Sequence, residues 1–176
     1  MTETLEQLME NVPSVEVVYS SGVKVERGNE LTPTQVKDKP TTVSWPAEDG
    51  AFYTLLFLCP DAPSRTDRRC ADTWHWLVVN IPGSNIAEGH TVADYIGAAP
   101  GDGAGFNRYI YAVFKQQGKA EDDQLQSDMP LEKRAKRNTK EIVEKYNLGK
   151  PIAISYFEAK FDDYVPELLA RLPKLE

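Results

Sequence analysis

Residues 51–59, AFYTLLFLC, and 74–81, WHWLVVNI, are two almost unbroken apolar runs of strand length. A strand with one wet face alternates polar and apolar residues. A run that does not alternate must be covered on both faces. These two runs therefore demand a layered domain with a sheet in its interior, and 176 residues are enough to supply both covering layers as one unit.

The segments around them fit that demand. VEVVYSSGVKVERG (15–28) alternates about a Ser-Ser-Gly turn and reads as strand, turn, strand. TTVSW (41–45), FNRYIYAVFKQ (106–116) and PIAISYFEAKF (151–161) alternate as further strands. LTPTQVKDKP (31–40) has no period and reads as an extended connector. Residues 3–11 place Leu5, Leu8 and Met9 on one face of a short helix. Residues 130–147 start with Pro130, carry Leu131, Ala135, Ile142, Val143 and Tyr146 as an inner stripe, and end at Asn147 and Gly149. This predicts a second helix, with the basic segment Lys133 to Lys140 on its solvated face. KAEDDQLQSD (119–128) reads as a solvated acidic loop. YVPELLARL (164–172) closes the chain as a helix behind Asp162 and Asp163, whose role is N-capping. The expected architecture is a single domain over 1–176, mainly β. It has two stacked antiparallel sheets, a short N-terminal helix and two C-terminal peripheral helices.

Charge and composition remove several function classes. The net charge of −7 disfavours nucleic acid as a partner. No stretch approaches the roughly 20 apolar residues of a transmembrane helix. The acidic N-terminal segment lacks the basic region of a signal peptide. The two cysteines, Cys59 and Cys70, are too few for a disulfide framework and suit a reducing compartment, so a cytoplasmic location is expected. With His75 and His90 the only histidines, metal-ligand spacing is absent and no cofactor is implied.

Three places carry candidate chemistry. His75 stands between Trp74 and Trp76; on a regular strand both indoles face away from it, leaving the imidazole as a buried polar residue or a titratable group at a pocket rim. Asp61 lies between Pro60 and Pro63 in a stiff loop, where its carboxylate can close an Asx turn or serve a site, and Arg65 can pair with it or meet an anion. The glycines of GAAPGDGAGFNRY (97–109) permit a close backbone approach to a small ligand. A thiol at Cys59 near an imidazole admits a competing class, a hydrolase or redox enzyme using Cys59 and His75. A scaffold that binds nothing is the third reading.

CPDAPSR (59–65), WHWLVVNI (74–81) and GAGFNRY (103–109), in this order and spacing, resemble the phosphatidylethanolamine-binding protein family, which includes the Raf kinase inhibitor proteins. LTPTQV (31–36) and DDYVPELL (162–169) resemble its flanking signatures. The resemblance implies a β core, a cis proline at Pro63, and a non-catalytic pocket for phosphate-like anions or phospholipid head groups. It also implies a partner, a protein kinase or a serine protease, that binding modulates. Carried over residue by residue, the ligand-binding set is Asp61, Ala62, Pro63, His75, Ala99, Pro100, Asn107 and Tyr109, with Cys59, Arg65 and Leu169 at the rim. Three positions depart from the family pattern. Cys59 replaces an aspartate, Asn107 replaces a second histidine, and Leu169 stands where animal members often have tyrosine. The expected result is weaker anion binding with a stronger pH dependence, because His75 is the one pocket histidine left.

Overall fold

A computed structural model describes residues 4–121, 125 and 127–172. Its strands are β1 (Glu16–Val18), β2 (Asn29–Glu30), β3 (Thr42–Ser44), β4 (Phe52–Cys59), β5 (Thr73–Pro82), β6 (His90–Ala93), β7 (Asn107–Lys115) and β8 (Ala153–Ala159). The helices are α1 (Leu5–Glu10), α2 (Lys140–Lys145) and α3 (Tyr164–Arg171). Six strands form the main sheet in the order β2-β8-β7-β4-β5-β6, and β1 with β3 forms a separate antiparallel ribbon.

The two apolar runs become β4 and β5, adjacent at the centre of the main sheet and buried along nearly their whole length. On one face, Leu55, Phe57, Trp76, Val78, Tyr109 and Tyr111 form a core with Val17 of the ribbon. On the other, Leu56, Leu58, Trp74, Leu77, Ala112 and Phe114 pack beneath residues of α1 and α2. The mainly β, two-sheet expectation is met, with a second sheet smaller than the alternation suggested. The second arm of the predicted hairpin shrinks to one bridge, Val18 to Lys24. Arg27 and Gly28 then take positive φ, 56° and 110°, and turn the chain so that β2 pairs parallel with β8 at the sheet edge.

Burial on both faces forces polar side chains of the central strands to find protein partners. Gln116, just past β7, supplies several. Its Oε1 accepts from the Thr54 hydroxyl (2.9 Å) and the Asn80 N–H (2.8 Å), and its Nε2 donates to Asn80 Oδ1 (2.9 Å). Asn80 Nδ2 then donates to the Ala120 carbonyl, and its Oδ1 accepts from the Ala120 N–H.

The predicted helix over 130–147 is broken. A 3-10 turn spans Leu131–Lys133 and α2 holds only Lys140–Lys145. The reason is tertiary. The Arg134 carbonyl accepts from Trp74 N–H (2.9 Å), Arg137 and Asp72 exchange both backbone bonds (2.9 Å each), and Lys136 N–H donates to the Cys70 carbonyl (3.0 Å). These groups would otherwise serve a helix. The basic segment is divided: Lys133, Lys136 and Lys140 are exposed, as a solvated face requires, but the two arginines turn inward. Arg134 is buried, donating to the Met129, His75 and Asp94 carbonyls, and the Arg137 guanidinium lies 4.5 Å over the Trp74 ring.

Asp162, rather than Asp163, caps α3 by accepting from Tyr164 N–H, and it also accepts from the Thr34 N–H and hydroxyl. The LTPTQV stretch is thus tied to the last helix. Residue Glu3 of the predicted first helix, and residues 122–124 and 126 of the acidic loop, lie outside the described residues. No helix among the described residues is long and apolar enough to cross a membrane.

Truncating Gln116 to Ala strands the Thr54 hydroxyl and the Asn80 amide without partners. An unsatisfied buried polar group costs about 1–3 kcal/mol, so a loss of about 2–4 kcal/mol in urea unfolding is expected for the variant. A change below about 0.5 kcal/mol would contradict the role given to this residue.

Candidate functional site

The position of His75 comes from a bulge in β5. Trp76 sits opposite Phe57 and Trp74 opposite Leu58, leaving His75 with no partner in register. An extra residue of this kind re-aims side chains and increases local twist. The two tryptophans consequently lie on opposite faces of the sheet, not on a shared face away from the histidine as regular alternation implied. The His75 ring joins the aromatic face, 5.6 Å from the Phe57 ring and 5.4 Å from the edge-on Tyr109 ring. Its freed backbone carbonyl accepts from Ile96 N–H (2.8 Å), and its Nδ1 lies 3.0 Å from the Ile96 carbonyl.

A carbonyl only accepts, so Nδ1 carries the proton. His75 is 8 % exposed, and burial pushes its pKa down to about 4, with the Arg134 charge adding in the same direction. The ring is neutral near pH 7 and Nε2 holds a lone pair. The expected cationic switch near neutral pH is corrected: the imidazole is too desolvated to titrate there.

Asp61 is fully buried, and its partner is Arg108 rather than the expected Arg65. Oδ2 accepts from Arg108 N–H (2.8 Å) and Nε (3.0 Å); Oδ1 accepts from Arg108 Nη2 (2.9 Å), and Arg68 Nε lies 3.4 Å from it. Burial opposes the charge, but the Arg108 hydrogen bonds and the two guanidinium charges outweigh it and hold the carboxyl below its usual range. Asp61 therefore positions the 60–63 loop against the first residues of β7. Arg65 pairs instead with Glu158 at the surface (3.3 Å). The sequence signal for Arg108 was present in the Phe-Asn-Arg-Tyr motif, but alternation alone does not say which loop it meets.

Asp61 and the cis Ala62–Pro63 bond bring the loop to Asn107, whose Nδ2 donates to the Pro63 carbonyl (3.2 Å). Asn107 is 2 % exposed and its Oδ1 has no hydrogen-bond partner. Tyr109 lies beside it, with bonding to the Ala99 backbone and to Asn107 and Cys59 side chains, and burial raises its phenol well above the ordinary value. Segment 96–100 lies alongside, bonded to His75 through Ile96. Gly97 is required there because a Cβ would meet the Val36 carbonyl at 2.9 Å. Pro100 is buried, Ala62 and Ala99 are half-buried and Pro63 is exposed.

Cys59, expected at a rim, is sealed in the core. It is 2 % exposed, and burial pushes its thiol up to about 12, so it is not an activated nucleophile. Leu169, the remaining rim candidate, is on α3 and turned outward at 55 % exposure. Among the described residues no group of three or more His, Cys, Asp or Glu side chains is placed to hold a metal.

A mainly β domain of a six-stranded sheet and a two-stranded ribbon, with separated loops meeting around a buried imidazole, defines the class of fold. Comparison with known proteins makes this specific: residues 21–157 match the model of the phosphatidylethanolamine-binding protein family, and the chain belongs to that family. It is 32 % identical over 173 residues to the Drosophila melanogaster protein named "Putative odorant-binding protein A5", covering 97 % of this chain and 82 % of that one. The solution structure of CG7054 is 40 % identical, covers 93 % of each chain and superposes with a TM-score of 0.74. A carboxypeptidase Y inhibitor, in complex with its cognate proteinase, shares the fold with a TM-score of 0.71 at 23 % identity over 85 % of each chain.

Two predictions follow from burial. His75 has a folded pKa below its unfolded one, so its contribution to stability is intact above about pH 6.5 and is lost as pH falls towards 4. Wild type should lose about 3 kcal/mol across that window relative to His75→Gln, as read by urea unfolding at pH 7 and 4.5. Equal pH slopes would contradict the buried neutral ring. Asp61→Ala leaves Arg108 without its carboxylate and should cost about 3–5 kcal/mol; wild-type thermal stability in that variant would show that the pair does not hold the loop.

Proposed function

We propose that this chain is a non-catalytic binding protein whose niche takes a phospholipid head group or a related small anion. Its binding set is Ala62, Pro63, His75, Ala99, Pro100, Asn107 and Tyr109, with Asp61 as a positioning residue. The observation that carries the reading is the buried Asn107 Oδ1 with no partner. A native interior rarely leaves an acceptor unsatisfied, and a ligand donor removes the penalty. The neutral His75 ring adds a second acceptor at Nε2. These groups favour a zwitterionic head group, whose ammonium can donate to them, over bare phosphate. The phosphate end falls to the glycine-rich segment, whose backbone N–H groups can face an anion.

In this reading ligand occupancy alters the surface formed by the two loops and so modulates a protein kinase or a serine protease. The protease partner is supported by the shared fold of the carboxypeptidase Y inhibitor. A cytoplasmic setting suits two free cysteines. The competing class, a hydrolase or redox enzyme using Cys59 and His75, is disfavoured by a sealed thiol with a pKa of about 12.

Glycerophosphoethanolamine, a phosphodiester of constant charge near neutral pH, is the probe. Isothermal titration should show saturable binding that changes less than about twofold between pH 5.5 and 8, because His75 stays neutral across that range. Asn107→Leu should weaken it roughly tenfold, the worth of a hydrogen bond to a charged group. No binding at millimolar ligand, or an unchanged affinity in the variant, would sink the reading.

A further inference from the structure

The β5–β6 ladder ends at the pair Leu77 and Ala93, short of His75. The segment after β6 nevertheless turns back to the histidine. Ile96 N–H donates to the His75 carbonyl (2.8 Å), and the Ile96 carbonyl meets the ring at Nδ1 (3.0 Å). Regular sheet pairing does not hold this joint, and Arg134 supplies the missing bonds.

Arg134 Nη1 carries two hydrogens. It lies 2.7 Å from the Asp94 carbonyl and 3.4 Å from the His75 carbonyl, so a single nitrogen bridges acceptors on both sides of the joint. Nε donates to the Met129 carbonyl (3.2 Å), and Met129 N–H in turn donates to the Val92 carbonyl of β6 (2.9 Å). The Arg134 carbonyl accepts from Trp74 N–H (2.9 Å), one residue before the bulge. Arg134 thus grips the bulged strand by its backbone and by its side chain. Its guanidinium is buried, and the acceptors it meets are carbonyls; the Asp94 carboxylate is committed to Lys39 at 2.9 Å. A buried cation that is hydrogen-bonded without a paired carboxylate is costly. Charge pairing therefore does not account for Arg134, whereas the fixed directions of its donors do.

We propose that Arg134 is a positioning residue of the His75 niche: by bridging the His75 and Asp94 carbonyls it keeps the Ile96 carbonyl on Nδ1 and so leaves Nε2 as the acceptor of the ring. It touches no ligand. The proposal rests on the reading of the niche as a head-group site and names what orients its imidazole. A ligand ammonium requires an acceptor at Nε2. In the other tautomer that nitrogen carries the proton and presents a donor to a donor.

The test uses the full chain labelled with nitrogen-15. Arg134→Lys keeps the charge and loses the planar fork; Arg134→Met loses both. Long-range proton–nitrogen NMR at pH 7 reads the His75 tautomer without ligand. Wild type should show the Nδ1–H form alone, and both variants should populate the Nε2–H form. The Ile96 amide should exchange with solvent about tenfold faster in both variants, while the amide of Leu56 at the sheet centre keeps its rate. Glycerophosphoethanolamine should bind both variants roughly fivefold more weakly than wild type. A merely structural role would speed exchange at Leu56 as well and leave the tautomer unmoved, and a purely electrostatic role would be rescued by lysine. Should Arg134→Met fail to fold, Arg134→Lys carries every reading. Three results overturn the proposal: an Nε2–H ring already present in wild type, an unchanged tautomer in the folded variants, or full recovery by lysine. Absence of glycerophosphoethanolamine binding to wild type sinks the niche reading instead, because tautomer and exchange are measured without ligand.

Discussion

A strand covered on both faces has no wet side on which to place a polar group. That constraint governs the centre of this protein, because β4 and β5 are buried almost end to end. The Thr, Asn and His side chains they contain are answered by the fold. Thr54 and Asn80 are answered by Gln116, and the His75 carbonyl and ring by the segment at Ile96. The site is thus part of the same accounting that stabilises the core: its imidazole is held neutral because the layers around it exclude water.

The second organising element is the set of ties that bind distant loops to the sheet. Asp61 joins the 60–63 loop to the start of β7 through Arg108, and the backbone of Arg134 and Arg137 joins the C-terminal segment to β5 and its preceding loop. The first tie uses the arginine fork, whose fixed donors meet both carboxylate oxygens; the second uses backbone groups alone. Arg134 spends its donors on three carbonyls near His75. Its charge is one cause of the low imidazole pKa, so a residue with no place in the motif helps set the electrostatics of the niche.

The family pattern and the local substitutions fit together chemically. Replacing an aspartate by Cys59 and a histidine by Asn107 removes titratable groups from beside His75. The remaining carboxylate, Asp61, is neutralised by its guanidinium partners. The groups left around the imidazole are neutral donors and acceptors, and in the proposed reading recognition depends on hydrogen-bond direction more than on net charge.

The sequence by itself determined the class. Two apolar runs without alternation require a doubly covered sheet, and the three quoted motifs carried the family and the order of the niche residues. Period and spacing could not reach features that depend on contacts far apart in the chain. The bulge that separates Trp74 from Trp76 shifts the register of one strand against its neighbour, which no single-strand pattern encodes. The break in the 130–147 helix arises because backbone groups there bond to residues 70–74 instead of to one another. Protonation was likewise outside the reach of the motif: His75 and Cys59 are residues of ordinary reactivity until packing removes water from them, and only the tertiary structure decides how much water remains.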